Sequence, residues 1–232
     1  MKHFVRIVLI ALLAGVSVVD AAVVITKVSS ATELAYADDV SSSDLLQGLT
    51  PVTTGWKTNK GANPANLNDG AHGDTSAVDS AGSVAWTTAG ATATYNLGVG
   101  KGYGWDITSI QSIAAWVNAA FGNQAYDVSV RYVNDTSFTA LPELSVDCQP
   151  FSGGAIGATK VIITNDTEPL IRGIEQIRFT AKSVNGGANG GSFTFREIDV
   201  QGVAANPASN ADPSPVVGFV SGAGLLPPAN PS

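Results

Sequence analysis

The sequence predicts an all-β protein, a β-sandwich or jelly roll of antiparallel strands. From residue 81 onwards, segments of alternating apolar and polar residues recur at intervals of roughly 8–20 residues. Gly, Asn and Asp punctuate them, and no long helical period interrupts them. Charged residues make up only 13% of the chain, against an average of about 25%; Ala, Ser, Thr, Gly and Asn take their place, as suits short strands joined by turns.

Residues 1–21 have the form of a secretory signal peptide. Lys2 and Arg6 supply a basic start, Ile7 to Val19 an apolar run, and Val19-Asp20-Ala21 a small-residue cleavage site. The run of 13 residues is short of the roughly 20 that span a bilayer. An uncleaved anchor is the competing reading. Cleavage would take the net charge from -7 to -8, with 10 basic and 18 acidic residues remaining. An acidic chain without a Lys/Arg cluster lacks the electrostatic footprint for nucleic acid or anionic lipid. The expected location is secreted, extracellular or at the cell surface.

Residues 22–202 are expected to form one domain. Its first apolar run, Ala22 to Val28, gives way to a Ser-rich stretch in which Asp44 to Gly48 reads either as a single helical turn or as an edge strand. Residues 59–80 read as a long polar loop. Asn66, Asn68, Asp69, Asp74 and Asp79 crowd oxygen donors into it, and calcium takes such oxygens. The spacing is not that of an EF-hand, and a solvated cluster of Asx turns explains the composition equally.

The strand series follows. Ala93, Tyr95 and Leu97 share one face of the segment 91–97. Asp106 to Trp116 reads as a strand covered on both sides, with Ile110 and Trp116 on one face and Ile107 and Ile113 on the other. Tyr126, Val128, Val130 and Tyr132 alternate with Asp127, Ser129 and Arg131; Phe138 to Leu141, Leu144 to Cys148, Lys160 to Thr164 and Ile174 to Ala181 continue the series. In the closing strand, Phe193 to Gly202, strict alternation puts Glu197 and Asp199 in line with Phe193 and Phe195. A buried carboxylate there is costly. Either a bulge turns the strand over near Arg196, or Glu197 meets a partner such as an arginine or a bound ion. Residues 203–232 hold six of the eleven prolines and read as a disordered Pro/Ala-rich tail.

Leu67-Asn68-Asp69-Gly70 with Thr75, and then Ala93 to Gly98, resemble the opening of galactose-binding-like domains of the discoidin, or coagulation factor 5/8 type C, kind. Tyr126 to Val130 with Phe138 and Leu141 is similar to their middle segment. Ile174 to Phe179 with Arg196 to Gly202 is similar to their paired closing strands. The resemblance covers about residues 60–202. It implies a jelly roll of about eight main strands, non-catalytic binding of carbohydrate or extracellular polysaccharide, and a structural calcium ion. The implied metal residues are Asn68, Asp69, Asp74, Thr75 and Glu197. The loop has one more residue between Gly70 and Thr75 than the usual pattern, and Val78 stands near an expected Trp. The implied sugar-contacting residues are Trp56, His72, Tyr103 and Trp105, for which capping of the sandwich ends is the alternative role. Trp86 and Trp116 are assigned to the core.

Catalytic patterns are sparse. After cleavage His72 is the only histidine, and no Gly-x-Ser-x-Gly elbow is present. One His and one Cys do not make an ordinary zinc site. The lone Cys148 reads as a small buried hydrophobe. A structural or adhesive surface protein is the alternative function, motivated by low charge, the unpaired Cys148 and the Pro-rich tail; a hydrolase is a third.

Overall fold

The computed structural model describes residues 22–58, 61–73, 84–117, 120–166, 169–185 and 191–206. The expected leader, and the tail beyond residue 206, lie outside them. Among the described residues ten strands form two layers. One runs β1 (Val23–Ser30), β8 (Gly157–Asn165), β5 (Trp105–Trp116), β10 (Thr194–Ala204) and β3 (Ala85–Trp86). The other runs β7 (Thr139–Cys148), β6 (Gln124–Tyr132), β9 (Ile171–Ala181), β4 (Thr92–Asn96) and β2 (Val52–Thr54). Every pairing is antiparallel, and β5 crosses to β9 through Trp105 and Ile107, which joins the layers at one corner. Eight strands have five residues or more, as the jelly-roll reading expects. No helix among the described residues is long and apolar enough to cross a membrane.

The alternating apolar sets meet between the layers. Tyr95, Tyr126, Val128, Val130, Ile177 and Phe179 from one side pack with Ile110, Ile163, Phe195, Ile198 and Val200 from the other. The rings of Tyr126 and Phe195 lie 5.8 Å apart across the gap. One polar network is buried beside them: Ser112 Oγ donates to Gln124 Oε1 at 2.6 Å and lies 2.8 Å from the Tyr126 hydroxyl, while Gln124 Nε2 donates to Thr159 Oγ1 at 2.9 Å. Trp116 belongs to a second, smaller cluster with Ala62, Val84 and Phe121, and Trp86 packs on that cluster.

Strict alternation fails where the ladder slips. Gln201 faces Ser109 but Gly202 faces Ile107, so Thr108 is the extra residue. Ile107 and Ile110 therefore both enter the main core, not opposite faces as the pattern predicts. The two segments expected before and after Pro142 form one strand, β7. As an edge strand paired only with β6, it tolerates a residue without an N–H. The tail boundary also moves. Val203 and Ala204 pair with Asp106 and Trp105, and the N–H of the buried Ala205 donates to Gly104 O, so the sandwich continues past residue 202.

Candidate functional site

The closing strand carries the second slip. Phe195 faces Ala114 and Glu197 faces Ile113, leaving Arg196 as the extra residue. The core set shifts from Phe193 and Phe195 to Ile198 and Val200, and Glu197 and Asp199 leave the phenylalanine row. The bulge offered by the sequence is present, and Arg196 does not pair with Glu197 but lies over the Trp116 ring, its Nε donating to Ala115 O at 3.1 Å.

Glu197 and Asp199 instead meet the segment that follows the Ser-rich stretch. Asp44 to Gly48 is a turn, closed by Gln47 N–H to Asp44 O and Leu49 N–H to Leu46 O. It lies along the free edge of β10: Leu45 N–H donates to Val200 O at 2.8 Å, and Val200 N–H donates to Asp44 Oδ1 at 3.2 Å. Leu46 enters the core and anchors the turn. The carboxylates of Asp44, Glu197 and Asp199 thus converge, with one oxygen of each within 4.8 Å of the others. They are 8%, 0% and 3% exposed.

One oxygen of each carboxylate is fixed by N–H donors. Asp44 Oδ1 accepts from Leu46 N at 2.7 Å as well as from Val200. Glu197 Oε1 accepts from Gly70 N at 3.2 Å. Asp199 Oδ2 accepts from Ser41 N at 3.2 Å and from Gln111 Nε2 at 2.8 Å. Asp44 Oδ2, Glu197 Oε2 and Asp199 Oδ1 have no hydrogen-bond donor among the described residues. Burial pushes the Glu197 carboxyl up to about 9; the charge of Asp199 adds to this and the Gly70 N–H opposes it. Burial likewise raises Asp199 to about 6, against the donors Ser41 and Gln111, and raises Asp44.

Of the other expected metal residues, Asn68 and Asp69 are described. Asn68 turns inward: its Nδ2 donates to Leu46 O at 2.6 Å and Leu49 O at 2.9 Å, and its Oδ1 accepts from Tyr95 at 3.1 Å. Asp69 Oδ1 closes its own turn by accepting from Ala71 N at 3.0 Å. Asp74 and Thr75 lie outside the described residues. Asp44 and Asp199 are absent from the expected set. Asp199 had a signal, two residues after Glu197 in a strand; Asp44 had none, since only the fold of the intervening chain brings it there.

The four expected sugar-contacting residues do not form one site. Trp56 and Trp105 spend their indole N–H groups on Thr92 O at 2.8 Å and Leu97 O at 2.9 Å. Those carbonyls lie at opposite ends of β4, about 17 Å apart for five residues of strand. The Trp56 ring packs 6.3 Å from Phe195. His72 is 5% exposed; its carbonyl accepts from Arg196, and burial followed by the Arg196 charge lowers its pKa. Tyr103, at 38%, is the exposed one. It rides a tight loop in which Gly102 N–H and Gly104 N–H both donate to Val99 O, at 2.7 and 2.9 Å. Gly104 abuts Gly173 and Val133, so Arg172 and the turn after β6 share this end with Tyr103.

No family model and no curated protein matches the sequence. Among solved structures, the chain is similar to a family 32 carbohydrate-binding module of NanJ from C. perfringens in complex with galactose. Identity is 17%, over 66% of this chain and 92% of that one, with a TM-score of 0.41. It is similar to a chitosan-binding module from a Paenibacillus chitosanase/glucanase at 16% identity, over 69% and 99% of the two chains, TM-score 0.40. It is also similar to a fucolectin from striped bass (Morone saxatilis) serum at 14% identity, over 68% and 48%, TM-score 0.43. The family 32 modules and the fucolectin have galactose-binding-like folds, the class that the sequence resembles.

Proposed function

We propose that this chain is an exported, non-catalytic binding module for carbohydrate, such as an extracellular polysaccharide, and that its ligand meets the loop end of the sandwich at Tyr103. The observation that carries the reading is the exposed Tyr103 ring on a loop held by its own backbone hydrogen bonds. A flat amphipathic ring on a loop held in this way stacks on a sugar face at little cost in loop ordering. The alternative of a structural or adhesive surface protein loses one of its three motives, because Cys148 is buried.

Affinity electrophoresis against a panel of soluble polysaccharides, together with a glycan array, tests this. At least one glycan retards the protein, and Tyr103→Ala weakens that binding about tenfold or more with an unchanged melting temperature. A blank panel, or equal binding by the variant, refutes the reading.

A further inference from the structure

We propose that the outer face of the layer formed by β7, β6, β9, β4 and β2 is a second glycan site, where Arg178 holds the anionic group of an acidic polysaccharide, a uronate carboxylate or a sulfate ester. The site rests on the carbohydrate reading above but not on Tyr103.

Register assigns the face. Residues directly opposite in an antiparallel ladder put their side chains on the same side of the sheet. One row runs Ala140, Ser129, Arg178, Thr94 and Val52; the next runs Asp127, Thr180, Thr92 and Thr54. Along their strands these residues alternate with Val128, Ile177, Phe179, Ala93 and Tyr95 of the core, so they point away from it. The face is open: Val52 is 74% exposed and the Asp127 side chain 53%. Beside it β7 bows outward. Tyr126 faces Val146 and Val128 faces Leu141, so Pro142 to Ser145 stand against Asp127 alone. The bulge leaves a hollow of about 300 Å³ lined by Asp127, Leu141, Pro142 and Ser145. Its apolar floor and polar rim match the two sides of a sugar ring.

Charge selects the occupant. Arg131 and Lys182 on this face have acid partners, Glu175 and Asp127, the second at 3.0 Å. Arg178 has no carboxylate partner among the described residues, although the chain has 19 acidic residues against 12 basic ones. It is held in place all the same. Its Nε donates to Thr94 Oγ1 at 2.9 Å, and its guanidinium carbon lies 3.7 Å from the centre of the Phe138 ring. The two terminal nitrogens have no acceptor among the described residues. A guanidinium fixed this way offers a preorganised fork of N–H donors, which fits the paired oxygens of a carboxylate or sulfate. Ser129 and Thr180 set hydroxyls beside it for the neighbouring sugar groups. The chain carries a net charge of -7, which opposes general attraction to polyanions, so an acidic glycan is held only by a local cation.

Affinity electrophoresis of the full chain in polygalacturonate, dextran sulfate and neutral galactan tests this, with melting temperatures taken in the same buffer. At least one polyanion retards the protein, and whichever does so names the anion. Arg178→Gln weakens that retention about tenfold or more. Arg178→Lys weakens it about threefold or more, because a point charge replaces the fork. Lys160→Gln removes the same charge from the opposite layer and keeps the retention. The proposal is overturned if neither polyanion retards the protein, or if Arg178→Gln is retarded like the wild type. It is overturned equally if Lys160→Gln loses as much, because net charge alone then explains the result. Should Arg178→Gln melt lower than the wild type, Arg178→Lys decides, since it keeps a cation over Phe138; retention equal to the wild type refutes the fork. Self-association of the wild type but not of Arg178→Gln in gel filtration assigns the face to a second copy of the chain, and the proposal falls. Neutral-glycan binding that depends on Tyr103, with no retention by polyanions, refutes this site alone, and the reverse pattern refutes the loop-end reading alone.

Discussion

Replacing Gly104 by alanine probes whether the loop that carries Tyr103 is held by backbone geometry. Gly104 has φ of +80°, a conformation that costs an L-residue about 1–2 kcal/mol. A Cβ there would also lie 2.6 Å from Ile174 O, 2.8 Å from Gly173 C and 2.8 Å from Val133 Cγ2. Two of these atoms are backbone at the start of β9, where the ladder to β5 prevents easy retreat. Overpacking of this kind adds about 1–3 kcal/mol. Gly102, two residues earlier, has φ of +98° but nothing within 4 Å of the added carbon, so it isolates the conformational part. For a domain of this size the losses convert to a fall in melting temperature of roughly 5–15 °C for Gly104→Ala and roughly 2–8 °C for Gly102→Ala. Thermal and urea unfolding followed by tryptophan fluorescence measures both. Equal losses would show that the contacts at Ile174 and Val133 do not constrain the loop; no loss at Gly104 would refute the loop geometry itself.

Two further outcomes are expected. Gln124→Leu removes the hub of the buried Ser112–Gln124–Thr159 network and leaves the Ser112 hydroxyl and the Thr159 carbonyl short of partners; the cost is about 2–4 kcal/mol by urea denaturation, and a loss below about 0.5 kcal/mol would show that these groups repartner. Cys148 is 6% exposed and burial raises its thiol pKa, so iodoacetamide at pH 7.5 labels it only after unfolding; labelling as fast in the native protein as in urea would contradict its burial.

The fold class was legible from the sequence because strand alternation is a local property with a period of two, and turn residues mark where each run stops. Tyr95, Tyr126, Val128 and Val130 point inward as the pattern predicts. The closing strand shows where local reading stops. Alternation flags Glu197 as anomalous and offers a bulge or a partner, but the choice depends on how β10 registers against β5, and only the slip between Ala114 and Ile113 decides it. The same slip sends Arg196 over Trp116 and Glu197 away from the phenylalanines.

Exposure was equally out of reach. Trp56, Trp105 and Tyr103 all sit in or beside Gly-rich or polar stretches, and nothing in those stretches says which ring will lie against the layers. Leu97 O and Thr92 O take the two indole N–H groups because β4 ends there, which leaves the tyrosine at the surface. The sequence by itself determined the class of fold, its strands and the acidic character of the closing strand. The tertiary structure decided which carboxylates face one another. Asp44 reaches Glu197 and Asp199 only because the turn around Leu46 fills the open edge of the sandwich, a contact driven by burial of apolar surface between segments far apart in the chain.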